Sequence, residues 1–135
     1  MTNALRPQVL VVDDEPGIRK SLALLLTSAG YDVAVAENGA HALLQLDRMQ
    51  PALIVSDLNM PQMSGLELMS QVRSLYPQIL IVAMSGAYER DAVPAGVVAD
   101  RFYAKGQGAH SFLTTICSLF STSNPRWNDP QPLDS

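Results

Sequence analysis

The sequence predicts an α/β fold in which a five-stranded parallel sheet is doubly wound, with helices on both faces. Short apolar, β-branched runs alternate along the chain with stretches whose apolar residues recur at helical spacing. The runs are continuous rather than alternating polar with apolar, as in strands covered on both faces. The connections between them are short, as βα units require.

The first strand is Gln8-Val9-Leu10-Val11-Val12, which stops at Asp13-Asp14-Glu15. Pro16 then stands at a first helical position, where a missing N–H is harmless. Ile18, Leu22, Leu25, Leu26 and Ala29 form one stripe of the helix that follows. Gly30 is placed to cap that helix at its C-terminus. Tyr31 to Ala36 reads as the second strand, and a helix from about Ala40 to Met49 ends before Pro51. Leu53-Ile54-Val55-Ser56 is the third strand and leads into Asp57. Ser64-Gly65-Leu66-Glu67 has the spacing of a capping box. It opens a helix to about Tyr76 that turns Leu68, Met69, Val72 and Leu75 inward. Gln78 to Met84 is the fourth strand, ending at Ser85-Gly86, and Asp100 to Ala104 the fifth, ending at Lys105-Gly106. The intervening stretch contains Pro94 and Gly96, so the helix expected there is short or irregular. The last helix carries Ala109, Phe112, Leu113, Ile116, Leu119 and Phe120 inward. Cys117 falls within the same apolar pattern and is expected in the core. The domain is read as residues 7–121, followed by a Pro-rich tail or the start of a linker over 122–135.

Bulk properties narrow the function. A chain of 135 residues, 47% hydrophobic and 16% charged, suits one soluble globular domain. No apolar run approaches the roughly 18 residues of a membrane span, and Met1 to Pro7 lacks a signal-peptide pattern. A single cysteine excludes an internal disulfide and suits a reducing compartment, so a cytoplasmic location is expected. The net charge of −4 argues against this domain gripping nucleic acid by itself.

In a parallel sheet the C-terminal ends of all strands lie on one side. That brings Asp13 and Asp14, Asp57, Ser85 and Lys105 to one edge, where α/β sheets place ligands. Each has a bland reading alone: a helix cap, a turn former, a surface charge. Three carboxylates within ~5 Å repel by about 3 kcal/mol per pair at an effective dielectric of about 20. Lys105 offers one compensating charge, so a hard divalent cation is expected, and Mg²⁺ suits few carboxylates with several waters. A metal, an ammonium and a hydroxyl around a carboxylate nucleophile are the parts of a phosphoryl acceptor. His41 and His110 fall in helical stretches without companion ligands and read as surface residues.

With these residues in place, the chain from about Val9 to Phe120 resembles a receiver domain of the two-component response regulators, of the chemotaxis-regulator kind. The carriers are Val11-Val12-Asp13-Asp14-Glu15-Pro16, Asp57-Leu58-Asn59-Met60-Pro61-Gln62-Met63-Ser64-Gly65, Ile81-Val82-Ala83-Met84-Ser85-Gly86 and Phe102-Tyr103-Ala104-Lys105. The resemblance implies a flavodoxin-like (βα)5 fold with strand order 2-1-3-4-5. It implies Asp57 as phosphoacceptor from a sensor histidine kinase or phosphotransfer protein. Mg²⁺ would be held by Asp14, Asp57 and the Asn59 backbone carbonyl, and by Asp13 through a water. Lys105 would pair with the phosphoryl oxygens. Ser85 would swing to hydrogen-bond them, and Phe102 would turn inward into the vacated space. A downstream output domain or protein would read the switch, and a homodimer is one arrangement the resemblance allows.

Two departures stand out. Receivers usually carry Pro after the Lys, with a cis peptide; here Gly106 follows Lys105. A non-proline cis bond costs about 3–4 kcal/mol, so this bond is expected to be trans, with Gly106 and Gly108 supplying backbone freedom. Ala87, two residues beyond Ser85, cannot orient a hydrolytic water, which leaves phosphoryl lifetime to Asn59. Two other functions compete with the switch. A phosphorylation-independent binding module is one. An Asp-nucleophile phosphohydrolase is the other, but it would need a second carboxyl where Asn59 stands.

Overall fold

The computed structural model describes residues 6–60, 63–86, 99–106 and 108–123. The elements are β1 (Gln8–Val12), α1 (Pro16–Ser28), β2 (Asp32–Ala36), α2 (Gly39–Arg48), β3 (Leu53–Asp57), α3 (Gly65–Leu75), β4 (Leu80–Ser85), β5 (Arg101–Ala104) and α4 (Ala109–Ser123). The sheet is parallel throughout, in the order β2-β1-β3-β4-β5. The architecture and strand order are those expected. The short helix expected between β4 and β5 falls on residues 87–98, and Trp127 with most of the Pro-rich tail on 124–135; both stretches lie outside the described residues.

Local chemistry places the helix ends. Pro16 stands in the first turn of α1. Its other end is a Schellman motif: Tyr31 N–H donates to Leu26 O and Gly30 N–H to Thr27 O, both at 3.0 Å, with Gly30 at φ +101°. Asn38 caps α2 by accepting from His41 N–H at 2.8 Å, and Ser64 caps α3 by accepting from Glu67 N–H at 3.2 Å. α4 continues through Ser123, into the stretch read as tail. Hydroxyls of Thr115, Ser118 and Ser121 donate to carbonyls three or four residues back, so this polar stretch is satisfied as helix.

The strands alternate their side chains between two cores. Val9, Val11, Val55, Val82, Met84 and Tyr103 meet Leu26 of α1 and Phe112, Ile116, Leu119 and Phe120 of α4. Leu10, Val12, Ile54, Ile81 and Ala83 meet Ala42 and Leu46 of α2 and Leu68, Met69 and Val72 of α3, with Phe102 packed alongside. β1, β3 and β4 are the inner strands, and their apolar runs are buried on both faces as their continuous pattern requires. Among the described residues, no helix is long and apolar enough to cross a membrane.

One polar side chain fixes where β5 starts. Asp100 N–H donates to Ile81 O at 2.8 Å, and Asp100 Oδ2 accepts from Ile81 N–H at 2.8 Å and from Arg73 Nη2 at 3.0 Å. The carboxylate thus stands in for a ladder partner and ties β5 to β4 and α3.

Four expected core positions are corrected. Cys117 is exposed, because Ile116 takes the buried face of α4 and the next residue lies about 100° around the helix. Leu75 is 61% exposed: it is the last residue of α3, and Tyr76 packs on the core in its place. Ala29 and Ala109, at a helix cap and a first turn, are also exposed. Phe112→Ala should therefore destabilise the domain by about 3–5 kcal/mol, while Cys117→Ser should change stability by no more than about 0.5 kcal/mol. Urea denaturation of the two variants checks the contrast.

Candidate functional site

The strand ends assemble the site. Asp57 is the last residue of β3 and Ser85 the last of β4; Asp13 follows β1 and Lys105 follows β5. Two backbone bonds extend the ladders past the strands and fix these positions: Asp13 N–H to Ala36 O at 3.2 Å, and Lys105 N–H to Ser85 O at 3.1 Å. Asp13 and Ser85 are fully buried, Asp57 is 4% exposed, and Asp14 lies exposed at the rim.

Carboxylate oxygens of Asp13, Asp14 and Asp57 lie within 4.8 Å of one another. Lys105 Nζ stands 3.1 Å from Asp13 Oδ2, 3.4 Å from Asp57 Oδ2 and 3.6 Å from Glu15 Oε1. Three carboxylates therefore share one ammonium, with Asp14 beside two of them at the rim. Asp13 does two jobs: its Oδ1 accepts from Glu15 N–H at 2.9 Å, shaping the turn, while its Oδ2 faces the cluster. Asp57 Oδ1 accepts from Asn59 N–H at 3.3 Å. The Asn59 side chain donates through Nδ2 to Ser85 Oγ at 3.2 Å.

Burial raises the Asp57 pKa, and Asp13 adds to this; Lys105 and the Asn59 N–H oppose it without cancelling it. Burial alone would lower the Lys105 pKa, but Asp13 and then Asp57 outweigh it, so the ammonium is held above the ordinary lysine value. Among the described residues, the buried Asp13 Oδ2 is met by the Lys105 ammonium alone. An oxygen-only donor set with more carboxylates than cations fits a hard divalent cation.

The departure after Lys105 is accommodated as expected. The Lys105–Gly106 bond is trans, and Gly106 and Gly108 take φ of +93° and +100°, a region other residues rarely adopt. Tyr103, buried in an edge-to-face contact with Phe112, donates its hydroxyl to Gly108 O at 3.1 Å and steadies this loop. Phe102 points to the opposite face of the sheet from Tyr103, the side of Ile81 and Ala83. It pairs with Ala83 across the ladder.

Two features escaped the sequence reading. Glu15 joins the ion-pair cluster from the start of α1, a position at which an acidic residue is ordinarily only a helix-start charge. Gly65 is required by close approach: a Cβ there would collide with the Asp57 carbonyl oxygen and stand 2.7 Å from Leu58 Cα. The start of α3 is thereby pressed against the backbone that carries Asp57. Gly65→Ala is expected to lower stability by about 1–3 kcal/mol and to shift the Asp57 backbone, read by denaturation and by amide chemical shifts of residues 57–59.

A second expectation follows from charge. The folded state binds the Asp57 proton more tightly than the unfolded state does. Its contribution is therefore favourable below the unfolded carboxylate pKa and lost as pH rises through the folded value. In metal-free buffer, Asp57→Asn should be more stable than wild type near neutral pH, and the gain should shrink toward pH ~4. Thermal melts across pH measure this.

Comparison with known proteins shows the family. Residues 9–114 match the response regulator receiver domain family. The transcriptional regulatory protein GlrR of Escherichia coli is 38% identical over 106 residues, which make up 78% of this chain and 22% of GlrR. This chain thus spans about a fifth of that relative's length. The chemotaxis protein CheY4 of Vibrio cholerae is 31% identical with a TM-score of 0.77, covering 84% of this chain and 98% of CheY4. The response regulator TrrA of Thermotoga maritima, solved with Mg(2+)-BeF, is 31% identical with a TM-score of 0.75 over 84% of this chain and 98% of TrrA. TrrA has also been solved in complex with the histidine kinase ThkA. This chain belongs to the response regulator receiver domains, the signalling domains of two-component systems rather than classical enzymes.

Proposed function

We propose that this domain accepts a phosphoryl group on Asp57 from a phosphohistidine of a partner kinase or phosphotransfer protein. The observation that carries this reading is a nearly buried carboxylate 3.4 Å from an ammonium, with two more carboxylates within 4.8 Å. An Asp57 carboxylate oxygen attacks phosphorus, the P–O bond forms, and the P–N bond to the donor imidazole breaks. Lys105 is placed to pair with the transferring oxygens, and Asp57 Oδ1 is oriented by the Asn59 N–H.

Asp14, Asp57 and the Asn59 carbonyl would hold Mg²⁺, with Asp13 acting through a water. The cation, when bound, neutralises the carboxylates and the negative charge of the transferring group. The clustering of three carboxylates within 4.8 Å and the complex of TrrA with Mg(2+)-BeF support this assignment.

The switch is Ser85 moving to the phosphoryl group and Phe102 filling the space it leaves. β-Strand parity puts Ser85 on the same face as Ala83, and Phe102 pairs with Ala83. Ser85 and Phe102 are therefore diagonal neighbours on one side of the sheet, with a small residue between them. The domain works in the cytoplasm, and the kinase complex of TrrA and the name of GlrR suggest a histidine kinase as donor and a regulatory output.

Asn59 in place of a second carboxyl disfavours a hydrolase. Phosphorylation-independent binding loses its main ground, since Gly106 leaves Lys105 beside Asp57. Incubation with Mg²⁺ and a small phosphodonor should add one phosphoryl mass to wild type and none to Asp57→Ala; an unlabelled wild type across several donors would sink the reading. Mg²⁺ at about 100 times its Kd should stabilise wild type by about 2.7 kcal/mol. Calorimetry should show that gain largely lost in Asp14→Asn.

A further inference from the structure

Asn59 contacts the site through two different groups. Its backbone N–H reaches Asp57 Oδ1 at 3.3 Å, and its carboxamide Nδ2 donates to Ser85 Oγ at 3.2 Å. Ser85 is fully buried at the end of β4, whereas Asn59 sits exposed on the loop after Asp57. A serine hydroxyl can accept one hydrogen bond while donating another. An N–H entering Oγ restricts rotation about the C–O bond and polarises the hydroxyl proton, since linked hydrogen bonds strengthen one another.

We propose that Asn59 is a positioning residue whose carboxamide stays on Ser85 Oγ as Ser85 moves, and orients the hydroxyl to donate to an oxygen of the phosphoryl group on Asp57. The inference rests on Asp57 being the acceptor. It differs from the role expected from sequence, in which Asn59 orients a hydrolytic water. The two roles separate chemically. Water orientation changes the decay of the phosphorylated protein and leaves the affinity for an inert phosphoryl mimic alone. Orientation of Ser85 changes that affinity, and only while Ser85 carries a hydroxyl.

The test is a double-mutant cycle on the full chain with beryllofluoride and Mg²⁺, binding being followed by fluorine NMR. Asn59→Ala should weaken beryllofluoride binding about three- to tenfold, the worth of one oriented hydrogen bond. In the Ser85→Ala background the same substitution should have less than about a twofold effect. Ser85→Thr retains the hydroxyl and should restore the coupling, and it keeps the test usable if Ser85→Ala fails to fold. Equal losses in both backgrounds, or unchanged binding with altered phosphoryl decay, overturn the proposal. If wild type binds beryllofluoride and is phosphorylated on Asp57, only this inference is at stake. If it does neither, the phosphoacceptor reading falls and this inference with it.

Discussion

The ion pairs from Lys105 to Asp13 and Asp57 are the constraint to which the rest of the structure is fitted. Two of the carboxylates are buried, and carboxylates at such separations repel strongly when water is excluded. The single ammonium reaches both of them because β1, β3, β4 and β5 lie side by side in a parallel sheet whose strand ends are in step. A slip of one residue in β5 would turn Tyr103 and Phe102 to the wrong cores and carry the lysine away. The apolar packing on both faces therefore sets where the charges stand, and the charges give that packing a use.

Much of this was legible in the residues. Continuous β-branched runs can be satisfied only by strands buried on both faces, and five such runs separated by helical stripes leave few topologies. The acidic pair after β1, Asp57, Ser85 and Lys105 each end a strand, so their convergence followed from the sheet alone. Less legible was anything that depends on how far an element extends beyond its neighbours. Leu75 satisfies the helical stripe, yet it stands at the end of α3, where Tyr76 makes the contact instead. Cys117 adjoins Ile116 in sequence, but the buried stripe of α4 runs through Phe112, Ile116, Leu119 and Phe120 and leaves position 117 about 100° to one side of it.

The site divides in the same way. Identities at strand ends could be read, whereas contacts between loops could not. The bond from Asn59 to Ser85 joins residues 26 apart in sequence through a side-chain rotamer that no pattern encodes. The need for Gly65 is likewise a matter of approach between a helix start and a strand end. The Gly106 substitution shows the converse. A residue that departs from the common pattern is absorbed by a trans bond and a left-handed φ, and the lysine still reaches both carboxylates.

Asp100 has a consequence for how this fold can diversify. Its carboxylate takes the Ile81 N–H and the Arg73 guanidinium just before β5 begins. The register of β5 is thus set by contacts on its own threshold rather than by the length of chain that precedes it. Lengthening a flexible loop in general carries only a small, logarithmic entropic penalty. A change in chain length between Gly86 and Ala99 can accordingly leave Phe102 and Lys105 in their places. Asp100 thereby makes the placement of the site independent of the chain length that leads to it.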